Sequence, residues 1–448
     1  MQLRHDEKMA RKAGIASLFG TAIEWYDFYI FGTAAALVFG PLFFPQSSPG
    51  AGVLASFATF WVGFLARPFG GIIFGHLGDR IGRKRMLITT LLLMGTATVG
   101  IGLLPTYETI GPLAPVSLVL LRAIQGLAVG GEWGGAVLIA TEHTDRKRSV
   151  LFGAFAQQGS PIGHILAALA FSATSLLSDE AFMSWGWRIP FLVSSVLIVI
   201  GLIIRLGIEE SPVLARLRDT KKVVRYPLVD VLKKHRMIVL IATLTMAAVM
   251  TSAYIRSTFM LSWGTADLGF QRQTILSVIL IASIVQFCVQ PFGAVLANRF
   301  DPRKSVTAML VIELGTLPVM FLLLSAGSFG WALVGVVVAT IPNVMFYATT
   351  AGLLAQAFPG RVRYTGISVS YALSSLLFGG SVPFVGQALL TMTGSIVAVV
   401  VYAMLMVCVS IVGVRALIKR TEAQREPDEH DLTAQDAQPS AIPVSPEK

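Results

Sequence analysis

Twelve apolar runs of roughly 20 residues follow one another along this chain, each long enough to cross a hydrocarbon layer as a helix. They lie near 14–40, 51–75, 86–104, 115–141, 150–176, 188–208, 237–262, 274–298, 305–325, 330–357, 365–390 and 394–418. Runs of this length and number cannot all be buried inside a water-soluble domain, and exposed apolar patches of that size are not tolerated in water. Only 13% of the residues are charged, against about a quarter in soluble domains, and the mean hydropathy is +0.71. A soluble enzyme and a disordered scaffold are both excluded. Period-two alternation is absent, so the spans are helices and not barrel strands. The fold class is an all-α membrane protein. The charged first 13 residues precede a run with no small-residue cleavage site behind a short apolar core. That run is expected to be a retained span, not a signal peptide. Cys288 and Cys408 both fall inside apolar runs, which leaves no disulfide or metal framework.

The basic residues fix an orientation. The N-tail, the loops after even-numbered spans and the C-tail together hold 28 of the 35 Lys and Arg residues. The opposite loops hold little beyond Arg188 and Arg272. By the positive-inside rule both termini are cytoplasmic. The net charge of +10 is therefore a topology signal and a contact with anionic lipid, not a nucleic-acid footprint. The longest charged loop, 209–236, divides the spans six and six. The expected organisation is an N-tail over 1–13, a six-helix bundle over 14–208, the 209–236 loop, a second bundle over 237–418 and a tail over 419–448. The tail is polar, contains proline and lacks heptads, so disorder is expected there.

The two halves share a motif. Gly75-His-Leu-Gly-Asp79-Arg80-Ile-Gly-Arg83-Lys84-Arg85 stands between spans 2 and 3. A weaker copy, Leu296-Ala-Asn298-Arg-Phe-Asp301-Pro-Arg-Lys304, stands between spans 8 and 9, 219 residues later. A duplicated six-span unit fits the two parallel halves of a secondary transporter. The first copy resembles the signature loop of the major facilitator superfamily. Arg122-Ala-Ile-Gln125-Gly126 with Gly130-Gly131-Glu132 resembles that superfamily's span 4 motif. Glu24-Trp-Tyr26-Asp27-Phe28, Arg67-Pro-Phe-Gly-Gly71 and Trp185-Gly-Trp-Arg-Ile-Pro-Phe191 resemble the metabolite:proton symporter family within it. From Ala34 to Phe191 the chain is most similar to bacterial shikimate transporters. The match is dense in the first half and thin in the second, with departures at His164, Arg256, Asn298 and Glu313. The resemblance implies the major facilitator fold, twelve helices in two six-helix bundles. It also implies a monomer in the bacterial cytoplasmic membrane that carries a small solute with protons and no cofactor.

Charges within the spans identify candidate residues, because each costs about 2.5–3.5 kcal/mol near the bilayer centre and asks for a partner. Glu24 and Asp27 are three residues apart and share a helix face. At about 1.5 Å per residue they lie roughly 15 and 20 Å into span 1. Asp27 is expected to pair with Arg122, while Glu24 and Glu132 share Arg67. A carboxylate buried among apolar helices holds a proton tightly and a nearby Arg loosens it. A conformational change that alters their separation therefore makes a proton carrier. The alternative is a permanently ionised pair that only joins helices. Arg256, in span 7, either snorkels to the outer headgroups or faces a cavity and holds a carboxylate bidentately. His164 is either a helix-packing hydrogen bonder or a proton relay or substrate ligand. Gln157, Asn343, Tyr347, Tyr371 and Gln387 are uncharged hydrogen bonders that could line a site. Tyr26 and Gln125, in the motif stretches, join the substrate candidates. Glu313 is in span 9, peripheral in the resembling fold, and is expected to serve packing.

The loop from Gly75 to Arg85 is expected to act as a conformational latch, through Asp79, Arg80, Arg83 and Lys84 with Arg67 as a brace. Asp79 would cap the N-terminus of span 11 near Thr365 when the cytoplasmic faces of the halves meet. Asn298 has no charge to do the same in the second half. There is no Walker loop, so ATP does not drive the process. The expected function is proton-coupled import of a small organic acid such as shikimate. The alternatives are an osmolyte porter for proline or betaine, a drug/proton antiporter and a non-transporting receptor.

Overall fold

The computed structural model describes residues 2–81, 83–142, 157–207, 227–359 and 362–436. Among these, every regular element is helical. In chain order the long helices are α1 (Gln2–Leu37), α2 (Pro49–Ile81), α3 (Arg83–Leu103), α4 (Leu113–Glu142), α5 (Gly159–Thr174) and α6 (Ile189–Leu206). They continue as α7 (Arg236–Ala266, in four consecutive pieces), α8 (Arg272–Arg299), α9 (Pro302–Ser325), α10 (Phe329–Ala357), α11 (363–393) and α12 (Ile396–Asp436). Ten of these stretches, all but α1 and α5, meet the length and hydropathy of a membrane span. The other two stand where spans 1 and 5 are expected.

The duplication read from the loop motif reappears as packing. In the first half α4 lies against α2 and α3, and α1 against α5 and α6. In the second half α10 lies against α8 and α9, and α7 against α11 and α12. The halves meet through two matching pairs, α5 with α8 and α2 with α11, and through α1 with α7. The glycines of the motif stretches make the closest crossings possible. A methyl on Gly126 would run into the carbonyl of Gly63, and one on Gly130 into the carbonyl of Arg67. Small residues let membrane helices approach to backbone contact, where packing and not hydrophobicity holds them.

The helices at the two ends of the chain run beyond the expected spans, and the expectation of disorder after the last span is corrected as far as Asp436. The charged N-terminal residues from Gln2 onward belong to α1. The polar tail is helical as far as Asp436, continuous with α12. Its first part is rich in Glu, Gln, Arg and Ala, which are good helix formers, and a helix already formed extends without a new nucleus. In the loop between the halves, Pro227–Lys234 forms a short helix with an Asp230–Lys234 ion pair at 3.0 Å.

Two helices change their winding inside the membrane. Alpha-helical pieces of α7 and α11 are joined by π-turns at Ile255–Phe259 and Leu376–Gly380. An extra residue in a turn re-aims the side chains that follow, and such turns collect at functional sites. Arg256 lies in the first of them.

Candidate functional site

Asp27 is fully buried in the first half. Its two oxygens accept hydrogen bonds from Thr98 on α3 at 2.8 Å and Ser194 on α6 at 2.7 Å. Thr98 in turn accepts from the amide of Gln125 at 2.7 Å, and the oxygen of Gln125 accepts from Arg122 at 2.6 Å. The link from Asp27 to Arg122 shown by these bonds runs through a hydroxyl and a carboxamide, where the sequence suggested direct pairing. The reason is room. Arg122 is drawn toward α2, where its Nε donates to the carbonyl of Phe60 and a methyl on Gly63 would collide with it. Its guanidinium lies 4.1 Å from the ring centre of Phe31, 4.3 Å from Phe28 and 5.0 Å from Phe60. Arg67 approaches the same Phe28 ring at 4.1 Å and that of Phe64 at 4.4 Å. Aromatic faces supply part of the stabilisation that water would give two buried cations, up to about 2 kcal/mol each when desolvated.

Arg67 and Glu24 form the expected pair, with N to O at 4.0 Å and both side chains buried. Arg67 therefore joins α2 to α1 within the bundle. The side chain of Glu132 lies outside the described residues, as do those of Asp79, Arg80 and Arg83 in the latch loop. Lys84 donates to the carbonyl of Leu206 at 2.8 Å, which places a cation on the C-terminus of α6 in its own half. In the second copy, Asp301 accepts from the backbone N–H of Arg303 at 2.8 Å and caps α9. Asp-Pro at the cap and first helical positions was the readable signal for this.

Between the halves lies a cavity of about 40 Å³. Trp25 and Tyr29 on α1, His164 on α5, Arg256 on α7, and Asn343 and Tyr347 on α10 line it, with apolar residues of α7, α8 and α10. His164 stacks on Tyr29 with ring centres 3.8 Å apart. Sites for small molecules measure about 300–1,000 Å³, so this one is contracted. The halves close on either side of it. At the inner end Gln290 donates to the carbonyl of Gln157 and Gln158 to that of Phe287, each at 3.3 Å. At the outer end Arg272 on α8 holds Asp179 at 3.2 Å and Ser175 at 3.0 Å and covers the ring of Phe182. Across α2 and α11, the indole of Trp61 donates to the carbonyl of Leu376 at 2.9 Å.

Arg256 is 8% exposed and faces this cavity, so it does not snorkel. One of its terminal nitrogens donates to Asn343 at 2.9 Å, and Nη1 is buried without a hydrogen-bond partner. The amide of Asn343 donates to Glu313 at 2.7 Å. Glu313, expected to serve packing on a peripheral helix, is fully buried and linked through one side chain to the cavity arginine. Each half thus contains a buried acid linked to a buried arginine by way of a carboxamide, with the Thr98 hydroxyl interposed in the first half.

Of the uncharged candidates, Asn343 and Tyr347 reach the cavity. Tyr26 does not, because its hydroxyl donates to the carbonyl of Pro190 on α6 at 2.7 Å. Gln125 belongs to the Asp27 relay, Gln157 to the inner closure, and Tyr371 is buried on α11 and is not among the residues that line the cavity. Sequence reasoning missed Tyr29, Trp25, Thr98 and Ser194. The first two sit in or beside the Glu24–Phe28 motif, and the hydroxyls have no local mark.

Comparison with known proteins agrees with this architecture. The family model of the Major Facilitator Superfamily matches residues 15–377, and the chain belongs to that superfamily. It is 43% identical over 398 residues to the inner membrane metabolite transport protein YhjE of Escherichia coli (strain K12), covering 86% of this chain and 88% of that protein. It is 41% identical over 388 residues to the shikimate transporter of the same organism, covering 85% and 88%. The crystal structure of a D-xylose-proton symporter superposes with a TM-score of 0.71 at 14% identity, covering 91% of this chain and 97% of that one. The protein is a multi-pass transporter of the plasma membrane.

Proposed function

We propose that this transporter imports a small organic acid of the shikimate kind together with protons, by alternating access. The observation that carries the reading is Arg256, a buried guanidinium whose Nη1 is without a partner on the wall of the central cavity. A carboxylate fits that nitrogen, because guanidinium and carboxylate match in geometry and charge. Tyr29, Trp25 and His164 offer ring faces and polar edges to a small cyclic polyol. Similarity to a shikimate transporter points the same way.

Asp27 is the proton carrier in this reading. Its oxygens rest on hydroxyls of α3 and α6, and the Gln125 relay connects it to Arg122. Movement of α1 against α3 and α4 breaks the relay and changes what neutralises the carboxylate. The proton then loads from one side and leaves on the other. The contracted cavity must widen to admit a solute, and the inner and outer closures are the contacts that alternate.

The test is uptake of a panel of radiolabelled carboxylates into proteoliposomes, with and without an inward proton gradient. Shikimate or a close relative should accumulate only with the gradient. Gradient-independent equilibration of every acid, or accumulation of a cation instead, would overturn the reading.

A further inference from the structure

Glu313 plays no part in the mechanism above, yet its surroundings are arranged around a charge. Its Oε1 accepts from Ser252 on α7 at 2.6 Å and from Asn343 on α10 at 2.7 Å. Its Oε2 is buried with no hydrogen-bond partner. Asn343 is fixed in orientation, since its oxygen receives Arg256 at 2.9 Å and its nitrogen serves Glu313. A flipped amide would lose both bonds.

The charges near Glu313 are few. On α7 Arg256 is the charged neighbour, reached through Asn343. On α10 Asn343 is neutral and Tyr347 lies one turn on. The membrane stretch of α12 carries Tyr402, Cys408 and Arg415, the last in a cytoplasmic groove with Arg303, Lys304 and Lys419. On α8, Cys288 is exposed. Across the cavity Tyr29 and His164 face Arg256. Among the described residues the local account is one guanidinium against one carboxylate.

We propose that Glu313 is a second protonation site, which binds a proton when an organic anion occupies Arg256 and releases it when the anion leaves. The proposal rests on the reading of Arg256 as the anion anchor. With Glu313 ionised and the cavity free of solute, the cluster is neutral. A bound carboxylate adds one negative charge to a buried, weakly solvated site, where uncompensated charge is unfavourable. A proton taken from the entry side onto Oε2 of Glu313 restores neutrality. It breaks no hydrogen bond, because Ser252 and Asn343 both use Oε1. On release the anion and the proton leave to the same side, and the carboxylate again balances Arg256. Linkage makes the effect reciprocal: the proton strengthens anion binding by the factor by which the anion strengthens proton binding. A neutral solute at the same site demands no such proton.

The experiment uses the purified full-length protein in weakly buffered detergent with a pH indicator, with shikimate as the charged probe and its methyl ester as the neutral one. Wild type and Asp27→Asn should both take up a proton on binding shikimate and none on binding the ester. Above the pH at which Glu313 ionises, shikimate affinity should fall up to tenfold per pH unit in wild type and stay flat in Glu313→Gln. Glu313→Gln should bind shikimate without proton uptake. Infrared difference spectra of wild type and Asp27→Asn should show a new protonated-carboxyl band on adding shikimate, a readout that needs no substitution at 313. Shikimate binding that depends on Arg256, with undiminished proton uptake in Glu313→Gln or no carboxyl band, would overturn the proposal alone. Equal shikimate binding by wild type and Arg256→Gln, or none by wild type, would overturn the anchor reading and the proposal with it.

Discussion

Replacing Arg256 by glutamine should separate the affinity of this transporter from its stability. A hydrogen bond to a charged group contributes about 1.5–3 kcal/mol. At about 1.4 kcal/mol per tenfold, loss of the guanidinium should weaken carboxylate binding by roughly 10- to 150-fold. The same change leaves Glu313 buried without its cation. Breaking a buried charge arrangement costs about 3–5 kcal/mol, an upper figure here because Ser252 and Asn343 still serve the carboxylate at 2.6 and 2.7 Å. Arg256→Gln should therefore melt earlier as well as bind worse. The double variant Arg256→Gln/Glu313→Gln removes both charges, so it should recover most of the melting temperature and none of the carboxylate affinity. Arg256→Lys keeps the charge but loses the fork and should fall between. The measurements are equilibrium binding of radiolabelled shikimate in detergent and thermal unfolding of the same preparations. A folded Arg256→Gln protein that binds within about twofold of wild type would refute the anchor. A double variant no more stable than the single one would refute the charge account.

Asp27→Asn fixes that site in its neutral form, so the emptied carrier should not return and net accumulation should stop although Glu313 still takes a proton with the anion. Exchange across the membrane should remain, and proteoliposome counterflow beside gradient-driven uptake separates the two. Gly126→Ala forces a methyl against the carbonyl of Gly63. Overpacking of this kind costs about 1–3 kcal/mol, to be seen as a lower melting temperature in detergent, and an unchanged one would contradict the described crossing of α2 and α4. Arg272→Ala removes an ion pair with the exposed Asp179 and a cation–π contact with Phe182 at the outer closure. An ion pair with one exposed partner contributes about 0–1 kcal/mol and a cation–π contact on a buried ring about 0.5–2, so the outward-open population should rise several-fold if the states are near balance. Maleimide labelling of single cysteines near the outer ends of α1 and α7 reads this, and equal rates in both proteins would count against the clasp.

Membrane insertion is decided locally, and for that reason it could be read from the sequence. Hydropathy summed over some 20 residues fixes where a helix crosses, and the ten qualifying stretches lie at the expected places. The basic loops point to one face as the inside, and the repeated loop motif announced two halves that the packing then displayed. Glu24, Asp27, Arg67, Arg122 and Arg256 could be singled out because a charge in hydrocarbon is costly wherever the chain folds.

Partners could not be read in this way. Whether Arg122 meets Asp27 or Gln125, and whether Tyr26 points to the cavity or to Pro190 on α6, depends on the rotation and crossing of helices far apart in sequence. The π-turn at Ile255–Phe259 adds a local rotation with no plain signature, and Arg256 lies within it. Glu313 shows the limit best. On α9 it is one acid in an apolar helix, but the approach of α7 and α10 supplies Ser252 and Asn343 and puts it two hydrogen bonds from the cavity arginine. Composition determined that this chain must live in a bilayer and carry a few costly charges there. Tertiary packing decided which of them answer to one another, because a buried charge is satisfied by whatever neighbouring helices bring within hydrogen-bonding reach.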